Sequence, residues 1–132
     1  RPEDQIVSRL RGLLKWDPAK VSLFRSRKQR GSGYIKGLDL KRELEGKPVL
    51  PANVLDYLLA HPHLIPEEWK EKTSGNITLI FFWGTIYRSL GDLLYVRCLF
   101  WSGGEWGWDY LWLGHDWYDN VPAGLARPST RA

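Results

Sequence analysis

Apolar positions along this chain follow two regimes that meet near Thr73. Before that point they come in short groups at helical spacing, divided by Pro and Gly; after it they form β-branched and aromatic runs divided by Gly, Ser and Asp. In the first regime the clearest helix is Val54 to Ala60. Leu55, Leu58 and Leu59 share a face, Asn53 can cap the start, and His61-Pro62 ends it, because a residue before proline resists the helical region. Gly37 to Gly46 brackets a second short helix, with Leu38, Leu40 and Leu44 as its apolar contacts. Pro66-Glu67-Glu68-Trp69 reads as a further helix start, with carboxylates at the positive end of the dipole. Asp17-Pro18 is a cap followed by a first-turn proline, and Val21 to Phe24 after it suits either a short helix or a strand.

In the second regime Ile77 to Arg88 and Leu93 to Trp101 make a hairpin around Ser89 to Asp92. Ser102-Gly103-Gly104 turns the chain into Glu105 to Leu113, and Gly114-His115-Asp116 turns it again before Trp117. The expectation is an α+β domain, two to four short helices followed by an antiparallel meander of three to four strands. A length of 132 residues fits a single domain, with residues 15–126 as its ordered core and 127–132 as a fraying tail. The longest apolar stretch, Ile77 to Trp83, falls far short of the roughly 20 residues of a membrane span. This points to a soluble chain. A start at Arg1 without Met is consistent with a trimmed leader and carries no information on location.

Eight Trp, six Tyr and four Phe are more aromatics than an ordinary domain of this size needs. Five of the Trp, at 101, 106, 108, 112 and 117, fall between Cys98 and Val121. Trp106 and Trp108 are two apart, so in a strand they share a face while Gly107 points to the other. Together with Trp83 these rings are expected to pack as scaffold. The residues between them, Ser102, Gly103, Gly104, Gly107, Asp109, Gly114, His115, Tyr118 and Asn120, add little to a core and are expected on its outer side. The competing use of the same segment is an exposed Trp platform for carbohydrate or peptide.

Charge divides the chain as well. Residues 1–80 hold 15 Lys/Arg against 10 Asp/Glu, and residues 81–132 hold 4 against 5, giving the net +4. Within 20–42, Lys20, Arg25, Arg27, Lys28, Arg30, Lys36, Lys41 and Arg42 are opposed only by Asp39. Such a run is either a solvated loop with basic flanks or a nucleic-acid-binding stretch whose affinity falls with salt. Arg30-Gly31-Ser32-Gly33 within it is a turn; no Gly-Lys-Ser/Thr follows, so it is not a phosphate-cradling loop.

Catalytic chemistry finds little to use. His61 and His63 flank Pro62 at a spacing that does not put both on one helical face, and His115 beside Asp116 is not thereby an oriented acid–base pair. Cys98 in a strand reads as a small buried residue, and as the lone Cys it has no internal disulfide partner, which allows a reducing compartment. Asp109, Asp116, Asp119 and Asn120 fall short of the six to eight oxygens of a calcium site. The expectation is a binding protein rather than an enzyme, with no catalytic residue, metal or cofactor.

Three segments carry a resemblance. Asn53 to Pro62 with Leu64 to Lys70, then Phe81-Phe82-Trp83-Gly84-Thr85-Ile86-Tyr87-Arg88, then the Trp-spaced tail together resemble variable proteins of diversity-generating retroelements, found in small-genome bacteria and archaea and their viruses. The resemblance spans about residues 15–126. It implies a compact C-type-lectin-like fold that displays a hypervariable face, rewritten when a reverse transcriptase miscopies the adenines of a template RNA. The ligand would be a protein or cell-surface molecule that sequence leaves unknown. On that account the variable region is 98–121. Cys98, Ser102, Gly103, Gly104, Gly107, Asp109, Leu111, Gly114, His115, Tyr118, Asn120 and Val121 are its ligand-binding candidates, all attainable from Asn codons. The Trp codon contains no adenine, which exempts Trp101, Trp106, Trp108, Trp112 and Trp117. No Lys, Gln or Met follows Thr73, as the same mechanism allows. The disulfides and the calcium motif of sugar-binding lectins are missing, so their specificity does not carry over.

Overall fold

The computed structural model describes residues 5–9 and 16–126, the first group by its backbone alone. In chain order its elements are strands β1 (Gln5–Arg9), β2 (Val21–Phe24) and β3 (Ile35–Lys36), helices α1 (Gly37–Leu44) and α2 (Ala52–Ala60), and strands β4 (Ile80–Phe81), β5 (Thr85–Arg88), β6 (Leu94–Ser102), β7 (Glu105–Trp112), β8 (Asp116–Trp117) and β9 (Ala123–Ala126). The architecture is α+β, as the two regimes of the sequence require. Single 3-10 turns complete it. Asp17 accepts the amide of Ala19 in front of the turn Pro18–Lys20, while the expected helix at Pro66 amounts to the turn Glu67–Lys70, with Trp69 buried.

Strand β6 is the axis of the main sheet. Tyr95 pairs with both Tyr87 and Trp112, and Cys98 with both Phe81 and Asp109, so β4 and β5 lie along one side of β6 and β7 lies along the other. The segment 77–88, expected as one strand, is thus two strands with Phe82–Gly84 between them. Gly84 explains the break. Its amide donates to the Leu50 carbonyl at 2.8 Å, and a Cβ there would come within 2.7 Å of the Pro51 nitrogen. The interruption therefore admits the segment that leads into α2. Thr85 Oγ1, next in the chain, accepts the Ala52 amide at 2.9 Å and caps that helix. Asn53, the expected cap, lies inside α2 with its side chain exposed.

The open choice at Val21 to Phe24 resolves as a strand, β2, paired along its whole length with β9, whose Ala-Gly-Leu-Ala sequence gives no strand signal. The sheet also takes in β1, ahead of the expected core, antiparallel to β5. The meander β5-β6-β7 stops at three strands. β8 leaves to pair with β3, where the Gly37 amide donates to Leu113 O at 2.9 Å; a Cβ on Gly37 would sit 2.2 Å from that oxygen. Close approach at this glycine ties the start of α1 to the end of β7.

Strand alternation splits the core in two. Val96, Cys98, Phe81, Trp83 and Trp117 pack with Leu40 and Leu44 of α1 on one side of the sheet. Leu99, Ile80, Phe82 and Trp69 pack with Leu55 and Leu58 of α2 on the other. Leu38, expected to join α1's contacts, faces out at 54% exposure, since its two neighbours one turn apart, Leu40 and Leu44, define the buried stripe. Trp117 is fully buried, 4.6 Å from the Phe81 ring and 5.0 Å from Trp83. Among the described residues no helix is long and apolar enough to cross a membrane.

Candidate functional site

Among the described residues strand β7 is held on one side only, by the β6 ladder that runs from Tyr95↔Trp112 to Ser102↔Glu105. The ladder closes on a two-residue loop. Gly103 and Gly104 have φ of 62° and 81°, the left-handed pair that matches the twist of a tight hairpin. Those two glycines therefore set the turn. Alternation along β7 then assigns two faces: Gly107, Asp109 and Leu111 on one, Trp106, Trp108, Tyr110 and Trp112 on the other.

The candidate variable residues fall into distinct environments. Gly103, Gly104, Asp109, Gly114, His115 and Tyr118 are exposed, and Ser102, Gly107, Leu111 and Asn120 are half-buried. Cys98 and Val121 are at 1% and 6% exposure inside the core and do not reach an external ligand. Burial, and then the charge of Asp109 across the strand pair, push the Cys98 thiol far up, so it stays neutral. The exposed members sit at separate stations: the hairpin tip, the middle of β7, the β7–β8 turn and the loop after β8. That last loop is tied down. Gln29 is buried, accepts the Ser26 amide, and donates to the Tyr118 carbonyl at 2.8 Å; Asn120 donates to Ile77 O at 3.0 Å.

The scaffold Trp also divide. Trp83 and Trp117 are core, and Trp101 and Trp106 are half-buried against each other at 5.2 Å, with Lys70 Nζ 4.1 Å above the Trp101 ring. Trp108 and Trp112 are not buried scaffold: they are 49% and 38% exposed. The reason is β7's place at the sheet edge, beyond the reach of α2. Their face of the sheet carries an aromatic cleft of about 570 Å³, built from Tyr87 of β5, Tyr95 and Arg97 of β6, and Trp108, Tyr110 and Trp112 of β7. Tyr87 and Tyr95 stack at 5.1 Å, and Tyr110 tilts at 53° to Tyr95 and 50° to Trp112.

Arg97 is the charged member of this cleft, with its side chain only 8% exposed. Its two terminal nitrogens donate to Asp56 of α2 at 3.0 and 3.4 Å, and its guanidinium carbon lies 4.2 Å from the Trp108 ring centre. Burial works against the charge, but hydrogen bonds to Asp56 and Tyr87 outweigh it and raise the pKa, so Arg97 is always a cation. Neither Arg97 nor Asp56 stands out in the sequence. Alternation along Tyr95-Val96-Arg97 and Trp108-Asp109-Tyr110-Leu111-Trp112 is the signal that could have marked this face.

The basic stretch 20–42 runs through several short elements. It is broken across the turn Arg27–Gln29, β3 and α1, and several of its charges are engaged. Arg25 donates to Asp119 O at 2.6 Å and to Thr73 Oγ1 at 3.1 Å, with burial lowering its pKa. Lys36 pairs with Asp116 and Arg42 with Asp39. Among the described residues no group of three or more His, Cys, Asp or Glu side chains is placed to hold a metal ion. Set against protein-family models, curated proteins and solved structures, the chain finds no match.

Proposed function

We propose that this protein is a non-enzymatic ligand-binding module that presents β7 and its flanking turns, in the manner of variable proteins of diversity-generating retroelements with their C-type-lectin-like display fold. The observation that carries this reading is the edge position of β7. A strand paired on one side, closed by a glycine turn, keeps its ladder whichever side chains Asp109, Gly114, His115 and Tyr118 present, because none of these belongs to either core cluster. Backbone bonds hold the frame, and exposed side chains are free to determine the partner. Gly114 fits this division, since a side chain there would meet open space, whereas one at Gly107 would press on the Phe100 ring at 3.1 Å and require it to shift. The partner on this reading is a protein or cell-surface molecule.

The test is genomic. Sequencing the DNA around the gene is expected to find a near-identical copy of codons 98–121, differing at adenines, together with a reverse transcriptase gene. A neighbourhood with neither would remove the retroelement from the account.

A further inference from the structure

The aromatic cleft shares no residue with the candidate variable set, although both are built on β7. Alternation keeps them apart: 107, 109 and 111 face one way and 108, 110 and 112 the other. Exchange of side chains on the first face removes none of the lining rings, and the candidate His115 touches the cleft from outside its lining, stacking on Trp112 at 6.1 Å. The cleft is therefore a constant feature, and its volume of about 570 Å³ lies within the span of roughly 300–1,000 Å³ typical of small-molecule sites.

Its chemistry selects among ligands. Among the described residues the lining contains no carboxylate to pair with an ammonium ligand, and its charged member, Arg97, is a cation already paired with Asp56. Successive rings along Tyr95, Tyr110 and Trp112 stand at 53° and 50°, so they form a bent wall and not the parallel slot that a flat heterocycle fills. A puckered ring with an apolar C–H face and a polar edge suits such a wall. The rings offer faces to its C–H groups; tyrosine and Ser89 hydroxyls and the Arg97 guanidinium line the same space for its oxygens. Leu90, fully exposed in the turn between β5 and β6, extends the apolar lining.

We propose that this cleft is a second, constant binding site for a neutral hexopyranose or a short oligosaccharide of such sugars, separate from the displayed residues. The probes are the methyl glycosides of glucose, galactose, mannose and N-acetylglucosamine at millimolar concentration, with their soluble β1,4-linked oligomers. They are titrated into the full chain and followed by tryptophan fluorescence and calorimetry. At least one is expected to bind, with affinity falling about tenfold or more in Trp108→Ala and Trp112→Ala, since loss of a stacking ring is worth about one power of ten. Tyr110→Ala, also at an exposed position, is expected to weaken binding likewise and guards against a tryptophan variant that fails to fold. Joint replacement of Asp109, Gly114 and Tyr118, none of which lines the cleft, is expected to leave the sugar affinity unchanged, which separates this site from the display reading. Failure of every probe, binding that survives all three ring substitutions, or cleft occupancy by a tetramethylammonium or proline-rich peptide control in place of sugar would each overturn the proposal.

Discussion

Cys98 fills a place in the core between Phe81 on one neighbouring strand and Asp109 on the other, and its surroundings resist the thiolate. Its ordinary pKa of about 9 is pushed far up on folding, first by desolvation and then by the Asp109 carboxylate. The native state thus holds a proton that the unfolded chain releases once pH exceeds that ordinary value. This contribution to stability is present in full below pH 9 and is lost as pH rises toward the folded pKa, at a rate of up to about 1.4 kcal/mol per pH unit. Urea unfolding of the wild type and Cys98→Ala between about pH 8 and pH 10.5 reads the difference, because the two chains differ only at this thiol. The wild-type profile is expected to fall more steeply above pH 9, whereas parallel profiles would mean that Cys98 ionises in the folded protein. Thr85 and Gly84 show the same dependence on surroundings: one hydroxyl and one missing Cβ seat α2, through contacts with residues more than 30 positions away.

The β6–β7 hairpin separates glycines by their backbone. Gly103 and Gly104 stand in the left-handed region, where a residue with a Cβ costs about 1–2 kcal/mol, while Gly114 is in open space without a positive φ. Denaturant titration is expected to place Gly103→Ala and Gly104→Ala about 1–2 kcal/mol below the wild type and Gly114→Ala within about 0.5 kcal/mol of it. Gly103→Asn is expected to cost less than Gly103→Ala, because asparagine tolerates this conformation. Equal losses at all three glycines would put the turn geometry in error. Much of this hairpin was legible in the residue pattern, since Ser102-Gly103-Gly104 between two aromatic runs specifies a turn by its own chemistry. α1 and α2 were legible for a similar reason, leucines one turn apart between helix breakers. β9 was not, because Ala-Gly-Leu-Ala becomes a strand by pairing with β4 on one side and with β2, about a hundred residues earlier, on the other. The break at Gly84 and the departure of β8 toward β3 likewise depend on backbone contacts between distant segments. The aromatic cleft falls between these cases: alternation marks its tyrosines and tryptophans, but the Asp56 that holds Arg97 comes from another element 41 residues away.

Two clusters clamp the sheet from opposite faces, and β7 joins them mainly through Leu111 on one side and Trp106 on the other. The rest of β7 and its turns hang on the ladder. If the molecule is divided in this way, Ser102, Asp109, Gly114, His115 and Tyr118 can be replaced together without dissolving the cores. Asn120 stays out of the set because its side chain donates to Ile77 O, and Gly103 and Gly104 because of their φ. Each of the five is worth no more than about 0.5 kcal/mol as a surface substitution, and well-separated sites add. The fivefold variant should therefore lose about 2.5 kcal/mol at most, a fall of roughly 5–20 °C in Tm for a domain near this size, with unfolding still cooperative. Trp117→Ala, which empties a fully buried ring from between Phe81 and Trp83, should alone cost about 3–5 kcal/mol. Calorimetric melting of the two variants beside the wild type checks the ranking. A fivefold variant that melts below Trp117→Ala, or loses its cooperative transition, would show that the outer residues of β7 hold the fold together and could not vary freely as a display surface.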